Sequence, residues 1–275
     1  AAILTGFIYP IVMGWQWGGG WLAELGFSDF AGSTLVHSTG GAAALAGAML
    51  LGARTGRFTK SGAPAPIKPF AASSIPLVTV GVFILWLGWF GFNGGSQLAM
   101  GTFDDAVAIS NIFINTNLAA CGGVMAAGAI TRLMAGKTDV IQMLNGAIGG
   151  LVAITAEPLA PTPLAAILIG ACGGLIVVFG TKLLFSLKID DVVGAIPAHM
   201  FAGIFGTLIV PVTNSDATFS AQLIGVLSIN IFVFVVAYII WAIMKNTMGI
   251  RLSKEAETKG TDVSETGVIA YAIRD

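Results

Sequence analysis

This sequence holds two histidines, His37 and His199, and each follows an aspartate by eight positions, Asp29 and Asp191. The first lies in DFAGSTLVHSTGG, residues 29–41, and the second in DVVGAIPAHMFAG, residues 191–203. Both stretches continue into long apolar runs, so both histidines are expected inside a membrane. An ionisable group there is costly and is a functional candidate by default, although a single histidine can also serve as an interhelical hydrogen bond. The matched spacing favours function for the pair. Two facing neutral imidazoles can share a proton, one nitrogen donating and the other accepting, which leaves ring nitrogens for a small polar solute. An imidazolium would repel a cation. A hydrophobic pore with this pair at mid-depth is therefore suited to a small hydrogen-bonding solute and poor for hydrated metal ions. Residues at helical spacing are small, with Ser33, Thr34, Gly40, Gly41 and Ala44 around His37 and Ala195, Ala202 and Gly203 around His199. Pro197 removes a backbone bond to the Val193 carbonyl and predicts a kink close to His199.

The elements that must position this pair are apolar helices. With 56% hydrophobic and 10% charged residues and a mean hydropathy of +0.88, the chain reads as an all-α polytopic membrane bundle. A net charge of −1 excludes nucleic acid as a partner, because there is no basic surface to neutralise phosphates. Cys121 and Cys172 fall inside spans and read as packing residues. No metal-ligand spacing, phosphate loop or nucleophile with a base is present, so neither an enzyme nor a cofactor is expected. Runs long enough to cross the hydrocarbon layer lie at about 29–53, 72–97, 105–135, 139–156, 163–187, 191–212 and 219–247, with 1–16 a partial eighth. GAIGG at 146–150 and GACGG at 170–174 read as close-packing faces. The chain opens in an apolar run without an initiator Met or a basic leader, and is read as an amino-terminally truncated piece.

Charge sets the orientation. Arg54, Arg57, Lys60 and Lys68 share one connection, Arg132 and Lys137 the next but one, and Lys182 and Lys188 the next but one again. Lys245, Arg251, Lys254, Lys259 and Arg274 close the chain. The intervening loops carry acids only: Glu24 and Asp29, Asp104 and Asp105, Glu157, and Asp216. This alternation predicts a cytoplasmic carboxyl terminus, with Asp29 at the outer end of its helix and Asp191 at the inner end of its own. Opposite polarity of two similar segments is the pattern of inverted five-helix repeats, followed here by one terminal helix. Outside, Trp17 in WQWGGGW and Trp89, Phe90 and Phe92 in GWFGFNGGS offer aromatic faces for a cation, and Ser96 offers a hydroxyl acceptor. An interfacial aromatic belt is the plainer alternative.

Through WGGGW, DFAGSTLVHSTGG, GWFGFNGGS, DDVVGAIPAHMFAGIFGTL and the tail GIRLSKEAETKGTDVSETGVIAY, the sequence resembles the ammonium transporter family (Amt/Mep/Rh), in particular its Amt branch. The resemblance implies an eleven-helix fold of two inverted halves, assembled as a homotrimer in the plasma or inner membrane, with the present chain covering the part from about the fourth helix onward. It implies a transmembrane domain over 1–248 and a cytoplasmic regulatory tail over 249–275. By the same resemblance, Trp17 and Ser96 form the outer site that recruits ammonium or its analogue methylammonium, Phe92 is one gate phenylalanine, and His37 and His199 line the pore. Asp29 and Asp191 are the structural or proton-related acids. In the tail, Gly249, Arg251, Glu255, Gly260, Asp262, Gly267 and Tyr271 match the regulatory pattern, where a PII-type protein docks in many bacterial members; Glu265 and Thr266 replace the usual histidine. Electrogenic ammonium uptake is the expected function. An ammonium sensor and a Rh-type ammonia gas channel are the alternatives, the latter disfavoured by Trp17 and the tail.

Overall fold

The computed structural model describes residues 1–58 and 72–270. Among them the chain is built from helices without strand elements. A π-helical turn Leu4–Ile8 runs into α1 (Tyr9–Gln16), and α2 (Trp21–Glu24) is a single turn. A second π-helical turn, Ser33–Ser38, runs into α3 (Thr39–Leu51). The long helices α4 (Ile75–Gly95), α5 (Phe103–Ala135) and α7 (Pro163–Ser186) flank the shorter α6 (Val140–Ile154). A third π-helical turn, Ile196–Phe201, leads to α8 (Ala202–Leu208) and α9 (Val210–Thr213), followed by α10 (Phe219–Thr247) and, in the tail, α11 (Lys254–Lys259).

Local chemistry sets these boundaries. Side chains of Ser74, Thr102, Asp139, Thr162, Thr218 and Ser253 accept from backbone N–H groups in the first turns of α4, α5, α6, α7, α10 and α11, satisfying donors that have no intrahelical partner. At Thr102 and Asp105 the bonding is reciprocal, a capping box.

Seven full spans were expected, and five helices among the described residues are long and apolar enough to cross a membrane: Ser33–Leu51, Ile75–Gly95, Phe103–Ala135, Pro163–Ser186 and Phe219–Thr247. Val140–Ile154 and Ile196–Leu208 stop short. The physical reason is burial. Every residue from Gly146 to Ile154 is buried within protein, so the backbone beyond it finds protein partners rather than lipid, and a helix of 15 residues is tolerated. The two glycine runs act as expected. A Cβ on Gly173 would run into the Gly149 carbonyl, and one on Gly174 into that of Gly123, so α5, α6 and α7 meet backbone to backbone.

The two histidine segments run antiparallel. Thr34 meets Thr207, whereas Gly41, farther along the first segment, meets Met200, farther back along the second. That is the sense required by an inverted repeat.

Candidate functional site

Each histidine segment begins with an aspartate that folds back over the following turn. Asp29 Oδ1 accepts from the N–H groups of Gly32 and Ser33 at 3.0 and 2.8 Å, and Oδ2 from Thr34 and Leu35 at 2.8 and 2.9 Å. Asp191 does the same, with Oδ1 taking Val193, Gly194 and Ala195 at 3.3, 3.0 and 3.1 Å and Oδ2 taking Ile196 at 2.7 Å. Three residues after each aspartate stands a glycine with positive φ, +109° at Gly32 and +79° at Gly194, which lets the chain turn back over the carboxylate. A π-helical turn follows in both and carries the histidine. Such wide turns re-aim side chains and recur at functional sites. Pro197 does not kink the middle of its helix. It occupies the first turn, where its missing N–H breaks no established ladder, and Asn145 Nδ2 donates to the Val193 carbonyl at 2.9 Å.

These devices bring the imidazoles together. His37 Nδ1 and His199 Nδ1 are 3.2 Å apart, with ring centroids at 5.2 Å and planes 27° apart. One Nδ1 must carry the proton and the other accept it. Tautomers of neutral rings then place a lone pair on the Nε2 of the donor ring and an N–H on the Nε2 of the acceptor ring, so the pair offers one acceptor and one donor to a passing solute. His37 Nε2 is buried without a hydrogen-bond partner. Four positions after each histidine a glycine admits the other segment: a Cβ on Gly41 would stand 2.5 Å from Met200 Cβ, and one on Gly203 would meet the Ser33 carbonyl.

Aromatic rings cover one side of the pair. Trp89 stacks on His37 with centroids at 4.8 Å and planes 16° apart, and Phe92 lies 5.2 Å from His37 and 5.7 Å from Trp89. The buried Trp89 indole donates to Thr155 Oγ1 at 2.9 Å, and Thr155 donates onward to the Leu151 carbonyl at 2.7 Å. Ser96, one turn beyond Phe92, donates to the Phe92 carbonyl at 2.9 Å, which leaves its oxygen lone pairs as acceptors. Trp17 arrives from another element. Its ring lies over Gly32, its Nε1–H donates to the Asp29 carbonyl at 2.9 Å, and it stays 41% exposed, which keeps an aromatic face open.

Buried polar cross-links hold the two segments to their neighbours, and reading by local spacing missed them. Ser33 donates to the Val152 carbonyl at 2.6 Å, Thr34 and Thr207 share a hydroxyl contact of 2.7 Å, and Ser38 donates to Asn230 Oδ1 at 2.6 Å. Gln222, wholly buried, bonds Ser28 and Thr207. Apart from Gln222 and Thr207, 15 residues apart, each pair is separated by more than one hundred residues in sequence. The available signal was the presence of Gln222 and Asn230, eight positions apart, inside an apolar run.

At the other end of α3, Asp190 takes bonds from Arg54 N, Nε and Nη2 at 3.0, 2.7 and 2.8 Å and pairs with Arg57 at 3.1 Å. Burial works against its ionisation, but the bonds and charge of Arg54 outweigh that and hold its carboxyl below the usual range. The tail docks beside it. Glu257 accepts from Thr55 N–H at 2.7 Å and pairs with Arg251 at 3.0 Å, while Arg251 and Lys245 donate to the Leu51 and Leu50 carbonyls. Gly249, Gly260 and Gly267 all have positive φ. Glu255 lies exposed on α11, and Asp262 accepts from Val263 and Ala270 N–H groups. Thr266, which stands in the histidine's place together with Glu265, donates to the Asp262 carbonyl. Tyr271, Lys60, Lys68 and Arg274 lie outside the described residues.

The profile of the Ammonium Transporter Family matches residues 1–271. A relative from Synechocystis is 42% identical over 271 residues, 97% of this chain and 60% of its own length. The ammonium transporter Amt2 of Archaeoglobus fulgidus is 40% identical over 98% of this chain and 63% of its own. Among solved structures, one titled as a sensor Amt protein superposes with a TM-score of 0.88 at 34% identity, over 94% of this chain and 67% of that one. Mep2 of Candida albicans superposes at 0.82 and 28% identity, over 92% of this chain and 59% of that one. The chain thus spans about three fifths of the length of the curated relatives it matches.

Proposed function

Because this chain belongs to the ammonium transporter family, we propose that it carries ammonium across a cell membrane, with the His37–His199 pair as the point past which nitrogen moves. The observation that carries the reading is the 3.2 Å contact between the two Nδ1 atoms, which presents one acceptor and one donor at Nε2 in an apolar setting. NH4+ is gathered at the exposed face of Trp17 and the oxygen of Ser96, by cation–π attraction of about 0.5–2 kcal/mol and a hydrogen bond. Beside Phe92 it gives up its proton, which follows a separate route. NH3 then passes the paired rings, accepting from one Nε2–H and donating to the other Nε2. Selection against K+, which cannot donate a hydrogen bond, comes from this exchange rather than from pore diameter.

Asp29 and Asp191 act by fixing the two π-helical turns. Residues 1–248 form the transmembrane domain and 249–275 a cytoplasmic regulatory tail, whose contacts with Thr55 and Leu51 offer a route for control by a PII-type protein. Assembly as a homotrimer is part of the same reading.

A second reading, an ammonium sensor, is favoured by the likeness to the sensor Amt protein. The two separate on a solid-supported membrane carrying full-length protein. A transporter gives saturable ammonium-evoked transient currents whose decay lengthens as protein density in the liposomes falls, and a decay independent of density, as for binding alone, would replace the transport reading with the sensor. A gas channel would move ammonia without net current.

A further inference from the structure

The side-chain amide of Gln222 is wholly buried and makes three hydrogen bonds. Its Oε1 accepts from the Ser28 N–H at 2.8 Å, and its Nε2 donates to the Ser28 carbonyl at 2.7 Å and to the Thr207 carbonyl at 2.9 Å. Clamping both backbone groups of Ser28 fixes the residue directly before Asp29, and therefore the start of the first histidine segment. The Thr207 carbonyl is available because its partner one turn on would be the N–H of residue 211, and Pro211 has none. One amide thus joins the outer end of the first segment to the last turn of the second. Next to it the Thr34 and Thr207 hydroxyls meet at 2.7 Å.

Each residue of slip between two antiparallel helices is about 1.5 Å. A slip of that size would carry the imidazoles beyond hydrogen-bonding distance. The histidine pair sits between two polar pins. One is Gln222 with Thr207, and the other is Ser38 with Asn230 on the same terminal helix α10. Of the two, only Gln222 bonds both segments in short contacts, since Ser38 reaches the Met200 carbonyl at 3.5 Å.

We infer that Gln222 is a positioning residue that sets the relative height of His37 and His199, an inference that rests on the pore reading above. Gln222 touches no substrate and acts through the backbone of Ser28 and Thr207.

The test uses full-length protein in proteoliposomes on a solid-supported membrane, with currents normalised to folded, reconstituted protein. Gln222→Met removes all three bonds at similar volume. The saturating ammonium current is expected to fall by about tenfold or more, while the half-saturating concentration, set at Trp17 and Ser96, stays within about twofold. Ile224→Met, on the same helix at a position 42% exposed, is expected to match wild type. Gln222→Glu gives a second handle if the methionine variant fails to fold. Its carboxylate can accept from Ser28 but repels the two carbonyls, whereas the protonated acid regains one donor. The ratio of its current to that of wild type is expected to rise as pH falls. His199→Ala is run in parallel. If His199→Ala loses its current while Gln222→Met keeps wild-type current per folded protein, or Gln222→Glu shows a flat ratio, the positioning role is overturned alone. If His199→Ala conducts normally, the pore reading falls and this inference with it.

Discussion

The two aspartate–histidine segments share one local design and differ in what surrounds them. Both have an aspartate bonded to the next turn, a positive-φ glycine three residues on, a π-helical turn and a histidine at the eighth position. Asp29 is sealed at 2% exposure under Trp17, and its segment is tied to α6 and α10 by Ser33, Ser38 and the Gln222 clamp on Ser28. Asp191 is half-buried, and its turn leans on Asn145 and on the neighbouring Asp190–Arg54 pair. His37 is stacked on Trp89 and flanked by Phe92, while the ring contact of His199 among the described residues is with His37. Both segments share the buried contacts at Thr207, but the cap of the first is sealed within protein, whereas that of the second is half-buried and stands beside a charged pair. On this account the first segment defines the geometry, and the second is where conditions on the tail side can act.

That contrast is most easily broken at the caps. Asp29→Ala leaves four N–H groups without their acceptor in a water-excluded site, at about 1–3 kcal/mol for each that stays unsatisfied, so a loss of about 4 kcal/mol or more is expected. Asp191→Ala, where water reaches the turn, is expected to cost about 1–2 kcal/mol. Reversible denaturation of both variants measures the difference, and equal losses would contradict the asymmetry.

Next in size is the ion pair beside the second segment. Asp190→Asn removes a carboxylate that bonds Arg54 and pairs with Arg57, and about 2 kcal/mol is expected, read as faster amide exchange over residues 52–57. The sign with pH follows from its lowered folded-state pKa: the contribution is present at neutral pH and is lost as pH falls through that value. Protection of these amides should therefore weaken on strong acidification in wild type and be insensitive there in Asp190→Asn.

Smaller again is the second support of His37. Thr155→Val leaves the Trp89 indole N–H unpartnered and is expected to cost about 1–2 kcal/mol, with Thr155→Ser near wild type. Indole fluorescence would follow loosening of the stack on His37. The mildest effect is expected at Asn145→Leu, about 1 kcal/mol, because the Val193 carbonyl it releases is exposed enough to find water.

Much of this was legible in the sequence because it is encoded locally. Apolar runs located the helices, and the repeated Asp-to-His spacing singled out the two histidines that the fold brings within 3.2 Å. The run at 139–156 is the short one, and α6 ends within two residues of it, where Thr155 and Ala156 turn their carbonyls to Ala31 and Phe30. Those partners, distant in sequence, were not legible. Pro197 was misread as a kink for a related reason, since its effect depends on where the helix begins, and Gly194 and Asp191 set that point. The polar cross-links of Gln222, Asn145 and Asn230 depend on partners brought close only by packing, so their residue types hinted at a role without naming a partner.

The central claim is that the paired imidazoles are the passage itself. Methylammonium uptake by full-length His199→Ala, compared with wild type at equal membrane content, tests it most directly. Loss of uptake to background is the predicted result, and uptake at the wild-type rate would contradict the account.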